Sequence, residues 1–277
     1  MTTISLETRE RIKGYLEGFI QGLIDAYKIR LIEQTVTIEE YLSRKSTKGE
    51  LKPFHAAMIP PEILNINLFE RGFSTRLGNS LEECARLIAL EHHREVHRGY
   101  DLEVEVSQAA YAEAERQKER YESTTNNKES QPSFEQMIAS ILNVQRSDNL
   151  VHKKVRVDLF IITHNGTELL FEIKSPKPNK GQCLEVTQRL LRFHLLRGKN
   201  RPDVQAYYAM PYNPYGLQRS DYKWTYSQKY MPFNEVVLIG DEFWQMIGGN
   251  TTYQELLEIY QEVGQVKSKS IVEQLSF

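Results

Sequence analysis

The residues of this sequence whose types and spacing could perform chemistry are Asp158, Glu172 and Lys174. Glu172 and Lys174 are two positions apart, and side chains with that spacing share one face of a β-strand. Carboxylate oxygens are the ligands that Mg²⁺ prefers, and the ion usually keeps several waters. A nearby ammonium group can hold one of those waters and offset charge on a phosphate. The three residues predict Mg²⁺-assisted hydrolysis of a phosphate ester, and the alternative is a solvated strand face with an ordinary Glu/Lys pair.

A β-hairpin has to position these side chains. Two apolar runs, residues 155–161 and 169–173, flank the turn sequence His-Asn-Gly-Thr, and Asn-Gly accepts the positive φ that a tight turn needs. A two-residue turn would place Asp158 opposite Ile173 and therefore on the wrong face. We expect a bulge or kink of one residue between Asp158 and the turn, which would bring Asp158 to the other two side chains.

Composition limits the class of protein. The chain has 277 residues, 40% of them hydrophobic and 26% charged, with a formal net charge of −2, as in ordinary globular proteins. The two cysteines, Cys84 and Cys183, have no metal-binding spacing, and a reducing cytoplasm is the default. The N-terminus does not resemble a signal peptide, and no apolar stretch reaches the roughly 18 residues of a membrane span. We expect a cytoplasmic protein without a membrane partner.

The N-terminal part of the chain is predicted to be helical. Residues 6–31 have apolar positions at helical spacing, which indicates core packing or a dimer contact. A short helix is predicted near residues 38–42 and a loop at 43–53, so residues 1–55 form an N-terminal helical region and 56–277 the main domain. Ser80 is predicted to cap a helix over residues 81–90, with Glu83 completing a capping box. Glu82 lies beside the buried stripe of that helix and is a candidate additional carboxylate; exposure to solvent is the alternative.

The remaining segments alternate between helix and strand. The sequence predicts a mostly helical run at 103–121, a loop at 122–132, helices at 134–143, 181–196, 241–247 and 251–260, strands at 204–210 and 236–239, and a frayed tail from Lys267.

Basic residues concentrate after Lys174. Eight lysines and arginines lie between Ile173 and Arg201, against Glu185 as the one acidic residue. Such an excess beside a metal site suits phosphate contacts, and an ordinary solvated helix face is the alternative. A basic and aromatic stretch follows over residues 211–230, where aromatics packing on their own domain are the alternative. The candidate nucleic-acid contacts are Lys177, Lys180, Gln182, Arg189, Arg192, Tyr212, Tyr215 and Arg219.

The pattern Asp158, thirteen residues, then E-I-K resembles the motif of the PD-(D/E)XK nucleases. Longer blocks resemble the TdeIII-type family of Type II restriction endonucleases. These are L-F-E-R-G-F-S-T-R-L-G-N-S-L-E-E, V-D-L-F-I-I through E-I-K-S-P-K-P-N-K-G-Q, A-Y-Y-A-M-P-Y-N-P-Y-G and E-F-W-Q-M-I-G-G-N-T-T-Y-Q-E-L-L. They occur in the same order as in that family and cover most of the chain from about residue 60 onward.

The resemblance implies an α/β protein of the PD-(D/E)XK restriction-endonuclease-like fold, a mixed central sheet flanked by helices. It implies Mg²⁺-dependent cleavage of double-stranded DNA at a short palindrome of the GGNCC or GGWCC kind, leaving 5′-phosphates. Asp158 and Glu172 would bind the metal, Lys174 would position the water, and Glu82 would assist from the preceding helix. A palindrome cut on both strands implies a homodimer. A cognate DNA methyltransferase encoded nearby and a bacterial cytoplasm are also expected.

Two other functions are compatible with parts of the pattern. A repair or recombination nuclease of the same fold would share the catalytic residues but recognise DNA structure. A non-catalytic DNA-binding protein with a vestigial nuclease fold is less compatible, because Asp158, Glu172 and Lys174 are all present.

Overall fold

The computed structural model describes residues 2–31, 43, 45, 54, 58–59, 61–127, 129–198 and 203–275. The helix predicted at 38–42, most of the loop at 43–53 and the boundary after residue 55 lie outside these residues. Contacts group the chain into two units, Met1–Ser5 with Leu81–Glu255 and Leu6–Ser80 with Leu256–Phe277. The division of the chain at residue 55 stays a prediction.

The second unit is helical. It contains α1 (Leu6–Leu31), as predicted, with the first part of α2 (Pro61–His92) and most of α9 (Thr252–Leu275). The predicted N-cap at Ser80 is wrong, because α2 is continuous there and the Ser80 hydroxyl donates to the Leu77 carbonyl at 2.9 Å. The predicted fraying from Lys267 is also wrong. Its ammonium pairs with Glu17 at 3.5 Å, and α9 continues to Leu275.

The first unit contains a mixed sheet of five strands in the described residues, in the order β1-β2-β3-β4-β5. The first three strands are antiparallel neighbours, whereas β4 pairs parallel to β3 and β5 parallel to β4. The strands are β1 (Glu95–Ser107), β2 (Leu150–Ile162), β3 (Glu168–Ile173), β4 (Val204–Met210) and β5 (Val237–Ile239). The strand predictions at 204–210 and 236–239 are thus confirmed, the latter to within one residue.

Helices lie between and after the strands. They are α3 (Gln108–Ser123), α4 (Phe134–Asn143), α5 (Lys180–Arg197), α6 (Thr225–Tyr230), α7 (Phe233–Val236) and α8 (Asp241–Gly248). The helical prediction for residues 103–107 is wrong, because these residues complete β1. Helix α3 begins only after Ser107, whose hydroxyl accepts a hydrogen bond from the Ala110 amide at 3.2 Å.

Both faces of the sheet are covered by helices. On one face, apolar residues of β1 to β5 share a single buried cluster with residues of α3, α4 and α5. On the other face, the ring of Phe171 in β3 meets Phe243 of α8 edge-on, with centroids 5.5 Å apart. Helix α8 also lies close to α2, because a Cβ on Gly248 would stand 2.5 Å from Ile88. The mixed sheet flanked by helices agrees with the predicted α/β class.

Candidate active site

The turn between β2 and β3 determines which side chains meet. The Thr163 amide donates to the Thr167 carbonyl at 2.9 Å, and three residues lie between them. Gly166 within this loop has φ +93°, a conformation that glycine accepts readily. The two-residue turn assumed from the sequence is therefore wrong. The pairing runs from Ile162 with Glu168 to Leu159 with Phe171, so its continuation brings Asp158 level with Glu172.

A second irregularity lies at Asp158 itself. Val157 and Phe160 both belong to the same buried cluster, although side chains three apart on a regular strand point to opposite faces. Gly99, next to Arg98 on β1, has φ +67°, and the Arg156 guanidinium occupies the place of its missing side chain. The predicted bulge or kink between Asp158 and the turn is wrong, because pairing is regular from Leu159 to Ile162. The extra residue that brings Asp158 level with Glu172 lies in the turn itself.

The three candidate catalytic side chains converge. Lys174 Nζ lies 2.9 Å from Asp158 Oδ2 and 3.1 Å from Glu172 Oε1, so one ammonium bridges two carboxylates. Asp158 Oδ2 also accepts a hydrogen bond from the Ile173 amide at 2.9 Å. That bond replaces a backbone ladder bond where β2 and β3 separate, and it holds the carboxylate at the end of β3.

Burial and charge act together on this group. Glu172 is 1% exposed, and burial, followed by the negative charge of Asp158, raises the pKa of its carboxyl. Burial alone would lower the pKa of Lys174. The hydrogen bond to Asp158 and the charges of both carboxylates outweigh it and raise that pKa. The ammonium is therefore held protonated, and it partly balances a buried carboxylate that would otherwise carry an unpaired charge.

The donor set suits a hard divalent cation. The described residues contain no group of three or more His, Cys, Asp or Glu side chains arranged around one point. Asp158 and Glu172 thus offer a carboxylate pair rather than a closed cage, and Mg²⁺ is commonly held by one or two carboxylates with its waters retained. Burial raises the pKa of the Glu172 carboxyl, and a cation bound beside it would favour the charged form. These residues fit Mg²⁺.

Glu82 is not brought to this group. Its carboxylate forms an ion pair with Arg98 at 3.0 Å, and Arg98 also lies 3.5 Å from Glu83. Arg98 pairs across the sheet with Leu159, the residue after Asp158. Glu83, expected to cap a helix, instead pairs with Arg86 at 2.6 Å. We therefore revise the expectation that Glu82 assists the reaction.

The segment that follows Lys174 is held from one side by aromatic side chains. Two of them, Tyr222 and Trp224, belong to the stretch 211–230, for which packing on the protein's own domain was the alternative. Three backbone carbonyls within residues 175–178 each accept a hydrogen bond from a Tyr hydroxyl or the Trp indole. The pairs are Tyr208 with the Ser175 carbonyl at 2.9 Å, Tyr222 with Pro176 at 2.6 Å and Trp224 with Pro178 at 2.6 Å. The two prolines of this segment have a fixed φ, and they are the feature of the sequence that indicates a rigid segment.

This rigid segment displays a candidate DNA contact. The Lys177 ammonium is exposed and lies 5.3 Å from the Tyr215 ring and 5.9 Å from the Trp224 ring. Tyr215 and Tyr212 are 37% and 41% exposed. Because Lys177 is three residues from Lys174, their Cα atoms are at most about 11 Å apart. The structure therefore brings Lys177 and Tyr215 together beside the carboxylates.

The candidate contacts of α5 have mixed surroundings. Arg189 lies 3.4 Å from Glu172 and 3.3 Å from Glu185, so it adjoins the carboxylate group directly. Lys180 pairs with Glu122 at 2.6 Å. Gln182 accepts a hydrogen bond from the Asn179 amide at 2.8 Å and completes the capping box of α5. We therefore assign Gln182 to the helix N-terminus and revise its expected role in DNA binding.

Arg219 is engaged within the fold. Its guanidinium forms a bidentate ion pair with Glu242 at 2.6 and 2.7 Å and donates to the Val237 carbonyl. Phe233 packs against it, with the ring centroid 5.1 Å from Cζ. These bonds use Nε and Nη2 of the guanidinium, whereas Nη1 is buried without a hydrogen-bond partner among the described residues. A DNA contact at Arg219 stays a prediction that this ion pair does not support.

A mixed α/β sheet thus brings two carboxylates and a lysine together where β2 and β3 separate. The family model described as Type II restriction endonuclease, HinfI, matches residues 10–264. The chain belongs to this family. It is therefore a site-specific deoxyribonuclease of a restriction system, and its substrate is DNA.

Curated relatives agree with this assignment. The Type II restriction enzymes HgiEI and HgiBI of Herpetosiphon aurantiacus are each 46% identical to this chain. HgiCII of the same organism is 44% identical. Each of the three alignments covers 97% of this chain and 97% of the relative. Within the described residues, no helix is long and apolar enough to cross a membrane.

Proposed function

We propose that this restriction endonuclease has the PD-(D/E)XK fold and makes Mg²⁺-dependent double-strand cuts at a short palindrome of the GGNCC or GGWCC kind. The observation that carries the proposal is the Lys174 ammonium, which bridges Asp158 at 2.9 Å and Glu172 at 3.1 Å. The finer TdeIII-type label rests on the sequence blocks from about residue 60 onward. The reaction leaves 5′-phosphate ends.

Each residue of the group has a distinct task. Asp158 and Glu172 would hold Mg²⁺, which when bound supplies positive charge to the scissile phosphate and acidifies a water. Lys174 donates hydrogen bonds that orient the attacking water and offset charge on the phosphate. The water attacks in line, and the 3′ oxygen leaves. Arg189 restrains the Glu172 carboxylate from the side of α5.

The DNA would lie across the exposed cations and aromatic rings beside this group. Lys177 and Tyr215 extend from the two loops that follow β3 and β4, and Tyr212 is in the second of them. Lys180 and Arg192 add positive charge along α5. Contacts of this kind to phosphates position the duplex without reading its sequence.

The symmetry of the site sets the assembly. Cutting both strands of a palindrome requires two copies of the catalytic group related by a two-fold axis, so the active species is a homodimer. We place residues 1–55 in an N-terminal region for packing or dimer contacts and residues 56–277 in the nuclease domain. The enzyme acts in a bacterial cytoplasm beside a methyltransferase that protects the host's own sites.

The proposal is tested by digesting unmethylated plasmid DNA with and without Mg²⁺ and sequencing the ends. We expect discrete fragments that share one short palindrome and carry 5′-phosphates. EDTA or Glu172→Gln should abolish cutting while the variant still binds DNA. Undiminished cutting by Glu172→Gln would overturn the assigned group, and cutting only of branched substrates would indicate a structure-specific nuclease instead.

A further inference from the structure

Two cations converge on one tyrosine ring outside the catalytic group. Lys153 Nζ of β2 lies 4.3 Å from the centroid of Tyr111 in α3, and Arg192 Cζ of α5 lies 4.6 Å from the same centroid. Each cation is attracted by the ring, but the two positive charges repel one another. In the part of the chain that the structure describes, neither cation forms an ion pair. Arg192 is nevertheless near Glu115, whose carboxyl pKa is lowered mainly by Lys118 and in part by Arg192. An anion between the two cations would remove their repulsion.

Arg192 carries a further indication of a missing acceptor. Its Nε atom is buried, and no hydrogen-bond partner for it exists among the described residues. The neighbouring carboxylate, Glu115, is already engaged by Lys118 and by the side-chain amide of Gln188. Buried donors are nearly always paired in folded proteins, so the Arg192 guanidinium lacks an acceptor that such a group normally has.

The position of the pair relates it to the reaction. Arg192 is three residues after Arg189, a rise of about 4.5 Å along α5. Arg189 in turn lies 3.4 Å from Glu172. Arg192 is therefore about one helical turn from the residue that contacts Glu172. Lys153 is five residues before Asp158 on β2, about 16 Å along a regular strand.

We infer that Tyr111, Lys153 and Arg192 form a binding site for one backbone phosphate of the DNA, outside the catalytic group. Arg192 supplies a planar fork of donors and Lys153 a point charge, the combination that suits a phosphodiester oxygen pair. Tyr111 holds both cations in place before the DNA arrives. The inference rests on the proposed function for the DNA duplex as the ligand, but not for the catalytic roles of Asp158, Glu172 and Lys174.

The neighbouring lysine provides a matched control. Lys154 follows Lys153 on β2, and adjacent side chains of a strand point to opposite faces. Unlike Lys153, it is neutralised within the fold, with Nζ 2.8 Å from Asp101 and 2.6 Å from Glu103. Replacing either lysine by glutamine removes the same charge from the chain, but only one replacement removes an unpaired cation.

The experiment is DNA binding in EDTA, measured by fluorescence anisotropy over a range of salt concentrations on a duplex containing the mapped cleavage site. The proteins are the wild type, Lys153→Gln, Arg192→Gln, the double variant and Lys154→Gln. We expect the double variant to lower the slope of log K against log salt by about 1, with affinity falling roughly tenfold at physiological salt. Lys154→Gln should change neither quantity appreciably. Thermal melting verifies that each variant is folded.

The outcomes separate this site from the catalytic proposal. The phosphate site would be overturned if the double variant kept the wild-type slope of log K against log salt. It would also be overturned if Lys154→Gln lost as much affinity as the double variant. If the double variant does not fold, Lys153→Gln alone gives the same comparison with Lys154→Gln. Because binding is measured without Mg²⁺, a failure of the catalytic assignment, seen as cutting by Glu172→Gln, leaves this result unaffected.

Discussion

At the scale of single residues, the candidate site is organised by one ammonium group between two carboxylates. Asp158 is fixed by the Ile173 amide, whereas Glu172 is buried and is balanced by Lys174 and Arg189. A buried carboxylate without such partners would be strongly destabilising. Lys174 therefore has two roles that a substitution can separate, since it compensates charge in the free enzyme and, by our proposal, orients water in the reaction.

We predict that Lys174→Gln cuts DNA at least about 100-fold more slowly in single-turnover assays with saturating Mg²⁺, because one preorganised charge is lost at the scissile phosphate. DNA binding in EDTA should persist, since the substitution leaves the surrounding contacts in place. Lys269→Gln is the control, because that lysine is 85% exposed on α9. Cleavage at the wild-type rate by Lys174→Gln would contradict the assigned role.

At the scale of elements, the rigid segment 175–178 connects β3 to α5 and carries Lys177 between two fixed carbonyls. Its acceptors are satisfied by side chains from β4 and from the region after it. These hydrogen bonds fix the position of the loop relative to the sheet. Because parallel β3 and β4 end at the same edge, residues that follow each strand can meet there.

We predict that Trp224→Phe, which keeps an aromatic ring but removes the donor to the Pro178 carbonyl, lowers stability by about 1–3 kcal/mol and slows cleavage. The stability is measured by urea denaturation and the rate in single turnover. Tyr226→Phe is the control, because this tyrosine is 43% exposed and its ring contacts Trp224. Equal effects of the two substitutions would show that the indole hydrogen bond has no special role.

At the scale of the whole molecule, stability against acid should depend on a partly buried histidine in α5. Burial lowers the pKa of His194 from 6.5 to about 4, and its ring packs edge-on against Phe134 with centroids 5.6 Å apart. The unfolded chain therefore binds a proton between about pH 6.5 and pH 4, where the folded protein does not. The free energy of unfolding should fall through this window by about 3 kcal/mol as pH decreases.

We predict that His194→Gln flattens this part of the pH–stability profile, although the substitution itself reduces stability at pH 7. The profile is obtained from urea denaturation at several pH values. His152→Gln is the comparison, since His152 has a 63% exposed side chain on β2. An unchanged acid slope in His194→Gln would show that another group controls acid unfolding.

Much of the local structure could be predicted from short-range patterns. Helix α1 and strand β4 have the predicted bounds, and so does α4, whose Ser133 and Gln136 form a capping box. In each case the periodicity of apolar residues within the element is enough to define it. The identities of Asp158, Glu172 and Lys174 could be read in the same way, because their chemistry depends on residue type and spacing.

The tertiary structure decided what depends on contacts between distant residues. Strand β1 was missed although Leu102, Val104 and Val106 alternate with glutamates, which is the pattern of a half-buried strand. Its pairing with β2 became visible only in the tertiary structure. Ser80 resembles an N-cap, but α2 continues through it. Glu82 and Arg219 have side chains that suit a functional site, yet each forms an ion pair within the fold. Glu82 pairs with Arg98, and Arg219 pairs with Glu242.

The sequence by itself determined which residues could perform the chemistry and that the hairpin had to depart from regular pairing. Only the tertiary structure decided where the departure lies: a three-residue loop at Gly166 and a kink at Asp158 opposite Gly99. The physical reason is that strand register reverses the face of every side chain with a shift of one residue. Packing on both faces of the sheet determines the register, and a local sequence pattern does not encode that packing.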